Sequence, residues 1–125
     1  MDYFEFQNRV IDEGIAAAKT SYTSPDDSAK LHGSVAGFEV CRDKNPLQLQ
    51  QLYLEAGQSS REALHAVHEK ATDTDTYWFK RCYMLEVEWV CNVVSAMLLN
   101  QGVEPIVMPT ARGVMKAVSI AGVKP

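Results

Sequence analysis

The sequence lacks the spacings that announce most small-protein chemistry. Its three cysteines, Cys41, Cys82 and Cys91, include no Cys-x-x-Cys pair, which removes the common zinc and thioredoxin-like arrangements. No Gly-x-Ser-x-Gly elbow is present, so the nucleophile turn of an α/β-hydrolase is excluded. Glycine and proline number only 7 and 5 among 125 residues, far from a low-complexity composition. The longest uncharged apolar stretch, residues 89–103, is 15 residues long and contains Asn92, Ser95, Asn100 and Gln101. A membrane span needs about 20 apolar residues, so no membrane association is expected. The opening residues Met-Asp-Tyr-Phe-Glu-Phe lack the basic region and apolar run of a signal peptide. An odd number of thiols in apolar surroundings then points to free cysteines in a reducing compartment, the cytoplasm.

Positive charge is scarce as well. The formal net charge is -4 and the isoelectric point is about 5.3. Neutralising phosphates takes clustered Lys and Arg, so direct nucleic-acid binding is not expected. The imbalance is uneven along the chain. All 16 acids precede residue 105, whereas residues 105–125 carry Arg112, Lys116 and Lys124.

What the chain does have is apolar content and clear helix punctuation. Apolar residues make up 46% and charged residues 22%, the composition of one folded domain over residues 1–125. Asp2 with Glu5 forms a capping box and predicts a first helix over about 3–20, with Phe4, Val10, Ile11, Ile15 and Ala18 as its buried stripe. Ser24-Pro25-Asp26-Asp27 supplies a capping hydroxyl, a proline at the first position and acids facing the helix dipole. That predicts a second helix over about 25–43, with Leu31, Val35, Phe38 and Cys41 inward. Gly33 and Gly37 lie one turn apart on it. Because glycine weakens a helix by about 1 kcal/mol relative to alanine, the pair implies that another helix approaches there, with Gly14 and Ala18 of the first helix as expected partners. Asn45-Pro46 predicts a third helix over about 46–71, in phase through Gly57, with Leu49, Leu52, Tyr53, Ala56, Leu64 and Val67 inward.

The fourth predicted helix, about 76–101, is apolar nearly all round, with one polar stripe through Arg81, Glu88, Asn92 and Ser95. After Gly102 and an extended connector, Pro109-Thr110 opens a short helix over about 110–121. The expected fold is therefore all-α, an antiparallel bundle of four longer helices plus a short C-terminal helix.

A helix apolar on every face must be covered on every face, and one small bundle covers only part of it. A second copy of the chain is the simplest cover, which predicts a homodimer with Tyr77, Trp78, Tyr83, Trp89 and Met97 at the interface. The same aromatics could instead fill the core or line a pocket. Two further constellations carry chemistry. Glu62-x-x-His65 places a carboxylate and an imidazole on one helix face, and Glu86 could complete a metal site, although the second copy of the motif found in di-iron bundles is missing. Thr110, Arg112 and Lys116 at the start of the last helix could hold an anion, or could simply cap and dock it. No cofactor is implied. These readings favour a non-enzymatic protein–protein interaction or regulatory module. The alternatives are a small acidic inhibitor that mimics nucleic acid, and a helical-bundle protein or enzyme that binds a metal or ligand.

Overall fold

The computed structural model describes residues 2–70 and 73–100, apart from the side chain of Asn100. Every regular element among them is helical. The helices begin where local chemistry marks them. For α1 (Tyr3–Ser21), Asp2 Oδ1 accepts from the Glu5 amide at 2.8 Å while the Glu5 carboxylate accepts from the Asp2 amide at 3.4 Å. Ser24 caps a 3₁₀ turn, Pro25–Asp27, that feeds α2 (Ser28–Val40). The predicted second helix is thus a 3₁₀ turn followed by an α-helix that stops short of 43, where Asp43 turns left-handed at φ 59°. Asn45 and Gln48 cap each other's amides, both at 2.9 Å, at the start of α3 (Pro46–His68), which runs unbroken through Gly57. For α4 (Thr74–Asn100), Asp73 accepts from the Thr76 amide at 2.6 Å, so the helix starts two residues before its predicted position. The predicted short helix over 110–121 lies outside the described residues.

Sequence neighbours run antiparallel. Tyr3 and Gln7 at the start of α1 meet Lys44 just beyond the end of α2, and Gly14 meets Phe38. Arg42 ties the same pair by bonding Asp12 at 2.8 Å and Glu39 at 2.9 Å. Leu49 near the start of α3 lies against Cys91 late in α4. By contrast α2 and α4, which are not sequence neighbours, point the same way and pack closest. A methyl on Gly33 would collide with the Phe79 carbonyl, and one on Gly37 would sit 2.6 Å from Tyr83 O. The two glycines do admit a helix, but it is α4 and not Gly14 and Ala18 of α1. Phe38 fills the α1–α2 seam instead, its ring lying where a Gly14 side chain would project. α2 and α4 form the most extensive pair among the described residues; α1 packs on both of them, and α3 packs on α4.

The main core joins Ile11, Phe38, Cys41 and Leu49 to Val87, Val90 and Val94 of α4. Every residue from Val90 to Leu98 is buried. The polar stripe expected on α4 is therefore not at the surface in this half. Asn92 is buried and donates to the Glu88 carbonyl at 2.9 Å, and Ser95 Oγ is buried with no hydrogen-bond partner among the described residues. Two other stripes are rotated from expectation. Phe4 is 45% exposed while Gln7 is buried, because Gln7 Nε2 and Tyr3 OH both donate to Lys44 O, at 2.7 and 3.0 Å, and turn that side of α1 inward. On α3, Leu64 faces out and Ser60 and Ala63 face in, small residues that let α3 lie close. By length and composition α4 could cross a membrane, with mean hydropathy 1.4 over its most apolar stretch, but 67% of that stretch is buried inside the chain, as in the core helix of a folded domain.

Candidate functional site

The close α2–α4 contact leaves a seam open elsewhere. The Phe38 ring lies against Gly14, and the second half of α1 brings the small residues Gly14, Ala17, Ala18 and Ser21 to this seam, so a groove of about 460 Å³ lies between α1 and α4. Phe38 also lines it, Val10 and Ala17 form one wall and Leu85 and Trp89 the other, while Arg9, Glu13 and Glu86 bring charge to its lining. Arg9 and Glu13 pair at 3.1 Å along α1. A groove of this volume, apolar inside with few polar groups, is within the usual range of binding sites.

The five residues predicted for an interface separate. Trp78 is 40% exposed on the first turns of α4 beside an exposed Phe79, with the Lys30 ammonium 4.5 Å above the Trp78 ring. Tyr77 and Tyr83 are half-buried, Tyr77 edge-on to Trp78 and Tyr83 stacked on Phe79. Trp89 is half-buried as a wall of the groove. Met97 belongs to the core cluster of its own chain.

The candidate metal ligands are not brought together. Glu62 and His65 face solvent on α3, where Glu62 accepts from Gln58 at 2.8 Å and His65 sits 3.1 Å from Glu69. Glu86 lies at the groove on α4. The reason is the rotation of α3: Ala56, Ser60 and Ala63 are its buried face, which turns Glu62 and His65 outward. Among the described residues no group of three His, Cys, Asp or Glu side chains could hold a metal ion. Thr110, Arg112 and Lys116, the candidate anion site, lie outside the described residues.

The thiols are chemically quiet. Burial pushes Cys41 and Cys82 up and carries Cys91 to about 12. Cys41 Sγ donates to Gly37 O and Cys91 Sγ to Leu49 O, both at 3.3 Å. Protonated, buried sulfur of this kind is neither nucleophile nor ligand at neutral pH.

The groove is the feature that sequence reasoning missed. Its residues were legible only as an ordinary buried stripe, and the one available signal was the small-residue run Gly14, Ala17, Ala18 on the first helix. No family model matches the chain, and no curated protein or solved structure matches it.

Proposed function

We propose that this chain is a non-enzymatic protein–protein interaction module of the cytoplasm, which receives an amphipathic helix of a protein partner in the α1–α4 groove and self-associates through the aromatic end of α4. The observation that carries the reading is the groove itself, an apolar trough between two helices. This is the geometry in which a partner helix inserts anchors at i, i+3 or i+4, and i+7. Trp89 supplies the rigid aromatic wall typical of interface hot spots, and Arg9, Glu13 and Glu86 give the groove charges that can set the orientation of a guest. Trp78 and Phe79, adjacent and exposed, support a homodimer contact.

The groove is tested by titrating full-length, isotope-labelled protein with a basic amphipathic helical peptide to millimolar concentration. Shifts should concentrate at Gly14, Ala17, Ala18 and Leu85, and Ala17→Arg should abolish them. Shifts confined to other faces, or none, would overturn the groove reading. Self-association is tested by sedimentation at tens of micromolar, where the chain should be dimeric and Trp78→Glu with Phe79→Glu monomeric. A monomeric parent chain would remove that part.

A further inference from the structure

We infer that the anchor of a guest helix in the α1–α4 groove is a basic side chain, arginine or lysine, whose charged head lies against the Trp89 ring and pairs with Glu13, with Glu86 on the opposite wall. The inference rests on the groove reading above and deepens it by naming the chemistry of the partner, an apolar helix face broken by one cation.

The first observation is where these groups stand. Glu86 and Trp89 are three residues apart on α4, which makes them neighbours on one helix face, with Cβ atoms about 5–6 Å apart. On α1, Val10 is buried with Val93 and Ala96, and Trp89 packs on that cluster. Glu13 follows Val10 by three residues. Because α1 and α4 run in opposite directions, the step from Val10 to Glu13 goes the same way along the groove as the step from Trp89 back to Glu86. Glu13, Glu86 and Trp89 all line the groove, so a side chain entering over Trp89 has a carboxylate within one turn on each wall.

The second is the ring. The face of an aromatic ring attracts a cation, and tryptophan does so most strongly. The chain uses that attraction at the start of α4, where the Lys30 ammonium lies 4.5 Å above Trp78. Among the described residues Lys30 is the one cation so placed. Trp89 brings the same capacity to the wall of a groove, beside the Phe38 ring and Phe6.

The third is charge. The lining sets Arg9 against Glu13 and Glu86, and the chain as a whole carries -4, so a basic guest is drawn in and an acidic one is repelled. The Arg9–Glu13 pair is 3.1 Å long, with both side chains 64% exposed. Ion pairs that open to water contribute little, and Glu13 can turn to an incoming cation at small cost. Glu86 is engaged within the chain and acts on a guest through its field, so the direct contact falls to Glu13.

The test titrates full-length, isotope-labelled protein with amphipathic helical peptides that differ at one position beside the apolar anchors, where they carry Arg, Gln or Glu. Dissociation constants are read from the Ala17 and Leu85 amides. The Arg peptide should bind about tenfold more tightly than the Gln peptide, as a cation–π contact and an exposed ion pair together provide. The Glu peptide should be the weakest, and the spread should narrow at high salt. The Trp89 indole N–H should move with the Arg peptide and that of Trp78 should not. Glu13→Gln, at an exposed position, should bring the Arg and Gln peptides to within about threefold of each other, and Glu13→Arg should make the Glu peptide the tightest. Equal binding of the Arg and Gln peptides, or a preference for Arg undiminished by Glu13→Gln, would overturn this inference, and groove shifts with both peptides would leave the groove reading standing. No groove shifts with any of the peptides at millimolar concentration would sink both.

Discussion

Gly37→Ala tests the closest contact in the molecule. In an isolated helix the change stabilises by about 1 kcal/mol, because alanine has less backbone freedom to lose. Here the new methyl would lie 2.6 Å from Tyr83 O, 3.0 Å from Tyr83 Cα and 3.1 Å from Glu86 Cβ. Carbon contacts are comfortable at about 3.5–4.0 Å, so α2 and α4 must part by roughly 1 Å, and the nearest obstacle is backbone, which cannot rotate away. Overpacking of this kind costs about 1–3 kcal/mol. Parting the helices also loosens Phe38 and Cys41 from Val87, Val90 and Val94, which share one core cluster. The net expectation is a loss of about 2 kcal/mol, which lowers Tm by about 8 °C in a domain of this size. Gly57→Ala is the matched control. Its methyl would meet only Arg61 Nη1 at 3.4 Å, the tip of a flexible side chain, so it should gain up to about 1 kcal/mol. Urea unfolding followed by helical circular dichroism reads both. Gly37→Ala at or above the parent midpoint, or the two variants moving in the same direction, would refute the reasoning.

Two further outcomes are expected. Ser95→Ala removes a buried hydroxyl without a partner among the described residues and should stabilise by about 1 kcal/mol; a loss of similar size in thermal unfolding would mean the hydroxyl is bonded. Cys91, held up to about 12 from an ordinary 9.0 by burial, keeps its proton in the folded chain while the unfolded chain loses it. Its contribution is therefore complete below about pH 9 and declines toward pH 12 by about 1.4 kcal/mol per pH unit. Cys91→Ala should flatten the alkaline fall in urea midpoint, and an unchanged slope would refute the assignment.

Helix starts were legible in the sequence because a cap is a contact between residues three apart: Asp2 with Glu5 and Asn45 with Gln48 need no tertiary partner. Faces were less legible, because a rotation of one residue is decided elsewhere. Phe4 gave way to Tyr3 and Gln7 once Lys44 O arrived from the turn after α2. The glycines announced that a helix comes close, but not which one, since that depends on how four helices divide the space. The Glu62 and His65 spacing was local, whereas its third ligand depended on the outward turn of α3. The groove was hardest to foresee because it consists of missing volume, at Gly14, Ala17 and Ala18, and a sequence shows volume only where it is present.

The two walls of that groove are not equally firm. α4 is wedged between α2 and α3 and is buried over its whole second half. α1 is fastened to α2 by the Phe38 ring against Gly14, by Arg42 to Asp12, and by Tyr3 and Gln7 to Lys44, and to α4 by Val10 against Val93 and Ala96. Widening the groove from the α4 side would therefore disturb the core shared by α2, α3 and α4, whereas widening it from the α1 side would cost the seam with α2 and the packing of Val10 on Val93 and Ala96.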